Sequence, residues 1–166
     1  MNSASFAERF IEPQDVPFVS DSFSRSYRVV GHVGGILDRF RDLLADPFRA
    51  LVQACSREAD ALVAARVVYP IAEPTEIAGY VVCSPRHNAL VYLLTKPAYA
   101  HRRVGAHLLS LAPTVPGDQR DERPQVLHCF STAAFAKMAK ACDVRTRYSP
   151  FMFQRLITEL TEDRDV

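Results

Sequence analysis

In TKPAYAHRRVGAHLLSLA, residues 95–112, Thr95 and Lys96 close a strand-type run, ALVYLLTK at 89–96, and Arg102, Arg103 and Gly105 open a segment with helical spacing over about 102–112. The chain passes here from a strand into a helix. A helix start presents free backbone N–H groups and the positive end of the helix dipole, where phosphates bind. Gly105 has no Cβ to hold an anion off the backbone, and arginine adds charge-assisted hydrogen bonds. The local chemistry leaves two readings open: a pyrophosphate cradle, or a surface turn with two solvated arginines. The segment is neither a P-loop nor a dinucleotide fingerprint, because the sequence holds no GxxxxGK[ST] and no GxGxxG.

Upstream, ERFIEP at 8–13 reads as a short first strand. Pro13 and Asp15 then introduce a helix over about 14–28, with Val16, Val19 and Phe23 on one side. RVVGHVGG at 28–35 carries three glycines and predicts a bend. A second helix is expected from Ile36 to Leu44, broken by Asp46-Pro47, with a further turn or helix over 48–55. Strand signals follow at 61–70, 76–85 and 89–96, joined by EPTE and PRHN, and these three read as an antiparallel meander.

Downstream of 112, PTVPGDQRDERP is a loop of prolines and charges. QVLHCFST at 125–132 reads as a buried strand and 133–141 as a helix with Phe135 and Met138 on one side. The tail at 146–160 mixes an aromatic patch with a last strand or helix. This mixed order predicts an α+β or three-layer α/β domain, and no repeat or second domain is visible over 1–166.

With 48% hydrophobic residues over 166 positions the chain can build a core. A net charge of +1, from 20 basic and 19 acidic residues, gives no electrostatic reason to name nucleic acid as a partner. The basic spots PRH (85–87), HRR (101–103) and RTR (145–147) would matter only if they met in space. The 4 cysteines, at 55, 83, 129 and 142, form no CxxC pair, and a reduced, cytoplasmic setting is expected. The opening MNSASFAERF lacks a basic start and an apolar core, and no run approaches the length of a membrane span, so no membrane partner is expected. The histidines at 32, 87, 101, 107 and 128 show no metal-ligand spacing, and Ser110 and Ser131 lack a G-x-S-x-G setting. Strand alternation sends His128 and Cys129 to opposite faces, which argues against a Cys–His nucleophile pair.

The order of elements, and Arg102-Arg103-Val104-Gly105-Ala106-His107 after the meander's last strand, resemble the GNAT superfamily of acyl-CoA-dependent N-acyltransferases. The superfamily pattern there is R/Q-x-x-G-x-G/A. The stretch from 125 to 153, with Tyr148-Ser149-Pro150-Phe151, is similar to phage- and prophage-encoded members. The resemblance implies a three-layer α/β/α fold with a mixed, mostly antiparallel central sheet flanked by helices. It implies acetyl-CoA as the acyl donor and direct attack by an amine. Residues 103–107 would hold the diphosphate, mainly through their amides, and Arg102 would shape the loop or reach the phosphate. The backbone of Leu93, Leu94 and Thr95 would pair with the pantetheine arm, with an N–H near Leu94 polarising the carbonyl. The chain departs from the pattern at His107, where Gly or Ala is usual; its imidazole either crowds the ligand, points away or contacts phosphate.

Such a reaction needs a base for the ammonium proton and an acid for the leaving thiolate. Tyr148 is the candidate acid, its alternative being an aromatic lid with Phe151 and Phe153. His128 and Tyr92 are the candidate bases, and a packed core histidine is the alternative for His128. Ser131 and Thr132 end a strand and could orient a water or substrate. Asp21 and Tyr27 lie on the first helix, on the expected acceptor side; a solvated surface carboxylate is the alternative for Asp21. The acceptor itself is not readable: a small amine, a protein amino group or a modified base all fit. Three function classes remain: an active N-acetyltransferase, an inactive module of the same fold that docks to a protein partner, and, ranked last, a protein that modifies or binds nucleic acid. A homodimer is also open.

Overall fold

A computed structural model describes residues 5–30, 36–117, 123–130 and 132–163. Strand β1 (Phe6–Phe10) is followed by a 3-10 turn (Pro13–Asp15), α1 (Val16–Val30) and α2 (Ile36–Gln53). The meander β2 (Ala64–Pro70), β3 (Gly79–Ser84) and β4 (Ala89–Thr95) comes next. A 3-10 turn (Pro97–Tyr99) then leads into α3 (Val104–Ser110), followed by β5 (Gln125–His128), α4 (Ala133–Ala141), β6 (Arg145–Tyr148) and α5 (Pro150–Glu162).

The six strands form one sheet in the order β1-β2-β3-β4-β5-β6. The first four run antiparallel, and β4, β5 and β6 run parallel to one another. Helices cover both faces, so the fold is α+β with a mixed sheet between two helical layers. Strand alternation sorts the side chains. On one face Val67, Tyr80, Val82 and Tyr92 meet Val19 and Phe23 of α1, Phe48, Leu51 and Val52 of α2, and Phe153 and Leu156 of α5. On the other, Val68, Val81, Leu90 and Val126 meet Val104 and Leu108 of α3 and Phe135 and Ala139 of α4.

Two local departures from regular geometry shape the sheet and its helical cover. In the pairing of β3 with β4, Val82 opposes Tyr92 while Cys83 opposes Leu90, so Val91 is an extra residue, a β-bulge. The bulge turns both Val91 and Tyr92 to the α1–α2–α5 face, while Leu90 and Leu93 face α3 and α4. The second is α2, which runs through Pro47 although the sequence predicts a break at Asp46-Pro47. Phe48, Leu51 and Val52 are fully buried at helical spacing, and this packing outweighs the lost hydrogen bond. The carbonyl that Pro47 leaves unserved belongs to Leu43, an exposed residue.

Other boundaries shift too. β1 starts at Phe6 rather than Glu8, and β5 stops at His128 rather than at 132. The tail holds both a strand and a helix. The bend expected over 28–35 falls largely outside the described residues. Among the described residues no helix is long and apolar enough to cross a membrane.

Candidate functional site

β4 and β5 pair only where β4 begins and β5 ends, Ala89 with Leu127 and Leu90 with His128. The N–H of Cys129 makes the last bond, to Leu90 O at 3.0 Å. From there β4 continues to Thr95 while the chain after β5 turns away, and among the described residues no strand pairs with that edge of β4 over 91–95. The two parallel strands thus open into a V. On β4's other side Lys96 N–H bonds Ala78 O at 2.9 Å, and Leu94 and Tyr92 oppose Tyr80 and Val82. Backbone groups alternate in direction along a strand. Those of Leu94 and Tyr92 therefore point to β3, and those of Leu93 and Thr95 point into the V. By the same alternation the Leu94 N–H is on the β3 side, and the N–H groups nearest it that face the V are those of Leu93 and Thr95.

α3 begins beyond the open end of the V. Arg103 precedes it in the left-handed conformation, φ 61°. The amides of Val104, Gly105 and Ala106 come before the first bond of the helix, which His107 N–H makes to Arg103 O at 3.0 Å. The Arg102 guanidinium lies over the Tyr99 ring, 5.5 Å from its centroid, and the Arg102 backbone N–H bonds Tyr99 O at 3.0 Å, within the turn that leads into α3. The Arg103 side chain is exposed. Gly105 is buried, and a Cβ there would lie 2.7 Å from Met138 Sδ and 3.2 Å from Thr95 Oγ1. A side chain there would press on the packing of α3 against α4 and β4, chiefly on the flexible Met138 side chain. His107 Nε2 sits 2.9 Å from Glu8 Oε2 on β1, which lies beyond β2 and β3 from the V. Its imidazole is turned away from the opening, and Glu8 is held in turn by Arg66 of β2.

At the apex of the V is a crevice lined by Leu90, Tyr92 and Leu93 on β4 and by Phe130, Thr132 and Phe135 across from them. Thr132 caps α4, its Oγ1 accepting the Phe135 N–H at 3.0 Å. The Phe130 ring packs among Phe23, Tyr92 and Phe153.

His128 and Tyr148 are register neighbours on the parallel strands β5 and β6, and their ring centroids are 5.5 Å apart. Phe135 touches the His128 ring, at 4.7 Å, and also lines the crevice. His128 is buried. Its Nδ1 lies 3.3 Å from Phe130 O; a carbonyl only accepts, so Nδ1 carries the proton and Nε2 keeps the lone pair. Burial pushes its pKa below the ordinary 6.5, and the bond to Phe130 offsets this in part. Tyr148 is about half exposed.

The structure separates Tyr92 from this pair. Its ring is on the α1–α2–α5 face and its hydroxyl hydrogen-bonds Ser26 of α1. Asp21 is exposed and faces Arg49 of α2 at 3.4 Å. Tyr27 belongs to α1 but its side chain lies outside the described residues, as does Ser131.

Cys55, Cys83 and Cys129 are free thiols whose pKa burial pushes up to about 12. They are therefore poor nucleophiles. Cys129 lies on the α1–α2–α5 face, opposite His128. Among the described residues no group of three or more His, Cys, Asp or Glu is placed to hold a metal ion.

PRH and HRR do not meet: residues 85–87 lie in the turn before β4, and 101–103 lie past its far end. Arg86 is paired with Glu159 and Asp163 at 3.8 and 3.7 Å.

Phe130 and Phe135, the crevice walls, are site residues that sequence reasoning misses. Their positions just after a strand and in the first turn of a helix are the signal that could have marked them.

No family model matches the chain, and no curated protein matches it. Among solved structures, it is similar to the PaiA N-acetyltransferase of Thermoplasma acidophilum in complex with coenzyme A, with a TM-score of 0.49 at 13% identity over 64% of this chain and 68% of that chain.

Proposed function

We propose that this chain is an acyl-CoA-dependent N-acyltransferase of the GNAT type that acetylates a primary amine. The observation that carries the reading is the V between β4 and β5, with the backbone of Leu93 and Thr95 turned into it and the start of α3 beyond its open end. The free edge of β4 suits an extended amide-bearing arm, which it would bind as an added strand. The residues fit the diphosphate as well: three helix-start amides, the exposed Arg103 beside them, and His107 drawn off to Glu8. The likeness to phage-encoded members, resting on Thr132, α4 and Tyr148-Ser149-Pro150-Phe151, belongs to the same proposal.

Acetyl-CoA supplies a thioester carbonyl open to attack by an amine. In our reading Leu93 and Thr95 hold the arm, and Val104, Gly105 and Ala106 with Arg103 hold the diphosphate. His128 takes the ammonium proton at Nε2, since a neutral imidazole with its other nitrogen fixed as donor is a competent base near neutrality. Tyr148 returns a proton to the departing sulfur. Tyr92, with its hydroxyl engaged by Ser26, is a weaker choice of base. Of the acceptor-side candidates Thr132 lines the crevice; Asp21, Tyr27 and Ser131 complete that set.

A second reading, an inactive docking module, draws on the exposure of Tyr148 at the end of β6 and Phe151 at the start of α5, 54% and 80%. Calorimetric titration with acetyl-CoA separates the two. Binding in the micromolar range, weakened about tenfold or more in Arg103→Glu, supports the transferase, whereas no heat at millimolar ligand leaves the docking module. Arg103 is the better probe than Gly105, because it is exposed and its replacement spares the α3–α4 packing.

A further inference from the structure

The apex of the V is closed by side chains braced from behind. Phe130 is held by three neighbouring rings, with centroids 4.9–6.0 Å away. Phe135 is held by the His128 ring at 4.7 Å and by the cap that fixes the first turn of α4. Leu90 is bonded to Cys129 where the strands part. What remains is a crevice of about 10 Å³, the room taken by one water-sized group. A methyl group is of that size, and each further methylene would have to displace a braced ring from a close-packed setting.

We infer that this crevice is an acyl-length filter: it admits the methyl of a two-carbon acyl group, rejects longer acyl chains, and has Phe135 as the residue that sets the limit. The inference rests on the proposed acyl-CoA-dependent activity. Phe135 sets the limit rather than Phe130, because shortening Phe130 would remove a member of the aromatic cluster on the α1–α2–α5 face. Shortening Phe135 opens space along the crevice toward His128 and leaves that cluster intact. Tyr92 stays tied to Ser26 in either case.

The test is a calorimetric series with free coenzyme A, acetyl-CoA, propionyl-CoA and butyryl-CoA on the wild type, Phe135→Leu and Phe135→Ala, with melting curves to verify folding. The wild type should bind coenzyme A and acetyl-CoA and lose about tenfold in affinity at each added methylene. Phe135→Leu, the milder change, should narrow the gap between butyryl-CoA and free coenzyme A about tenfold relative to the wild type. Phe135→Ala, if folded, should narrow it further. Equal affinity of the wild type for acetyl- and butyryl-CoA overturns the filter while the transferase reading stands. An unchanged ranking in folded Phe135→Leu removes Phe135 as its gauge. No binding of free coenzyme A defeats the transferase reading, and the filter with it.

Discussion

His128 is neutral for a physical reason, and that reason has a thermodynamic consequence. Burial disfavours the imidazolium, so the folded pKa lies below the unfolded 6.5. The native state then binds fewer protons than the unfolded chain between the two values. The stabilisation is fully present above about pH 6.5 and is lost as pH falls through the folded value. An NMR titration should place the His128 midpoint below 6.5, and the melting point of the wild type should fall more than that of His128→Gln between about pH 7.5 and pH 5. A midpoint at or above 6.5 would contradict the burial argument and weaken His128 as a base. Two glycines make a second test at this scale. A Cβ on Gly79 would lie 2.6 Å from Leu94 O, a backbone atom with nowhere to go, and 2.8 Å from Leu108 Cδ1. A Cβ on Gly105 would meet chiefly Met138 Sδ, the end of a flexible chain. Gly79→Ala should therefore cost more than Gly105→Ala, roughly 2–3 against about 1 kcal/mol, within the range of overpacking effects. Chemical denaturation of both variants decides it; equal costs would mean that β3 and α3 have more slack than these distances allow.

At the scale of elements, α4 shows how one cap supports a site. Thr132 ends the excursion from β5, caps the helix and lines the crevice, and the amide that it holds is that of Phe135. Thr132→Ala should cost about 1 kcal/mol, whereas Thr132→Ser, which keeps the oxygen, should cost less; a difference of zero in denaturant midpoints would show that the hydroxyl does not hold the turn. Elements specified by local signals are the legible ones. The α4 boundaries, 133–141, follow from its spacing and its cap, and the meander from three strand runs and two turn signals. Elements decided by distant partners are not legible. α2 outlasts Pro47 because Phe48, Leu51 and Val52 find the core. QVLHCFST reads as an eight-residue strand but is cut short at His128, since periodicity cannot reveal where a neighbouring strand diverges. The bulge at Val91 is equally silent, and with it the reason that Leu93, not Leu94, turns its backbone into the V. His128 and Tyr148 could each be nominated from chemistry, but only the parallel register of β5 and β6 puts their rings side by side.

Across the whole molecule the sheet is two unequal parts joined at a narrow seam. β1 to β4 are laddered antiparallel, with β3 and β4 paired from Gly79 to Ser84. β5 and β6 are attached to them at Ala89 and Leu90 alone among the backbone pairs of β4. The rest of the seam is side-chain packing: Phe130 among the rings of α1, β4 and α5, and Met138 of α4 against Gly105 of α3. A ligand that enters the V must work against this seam and no other part of the core. Few ladder bonds across a boundary make a low-energy opening unit. Native-state hydrogen exchange should therefore find the β5–α4–β6 segment exchanging through a sub-global opening, with amides such as those of Val126 and Leu127 less protected than those of Val81 and Val82 in β3. If coenzyme A binds as proposed, across β4 and the start of α3, it should raise protection at Leu93 and Thr95 and narrow the gap between the two parts. One uniform free energy of exchange for both parts would mean that the side-chain seam is as strong as the backbone ladder, and that the V does not open independently of global unfolding.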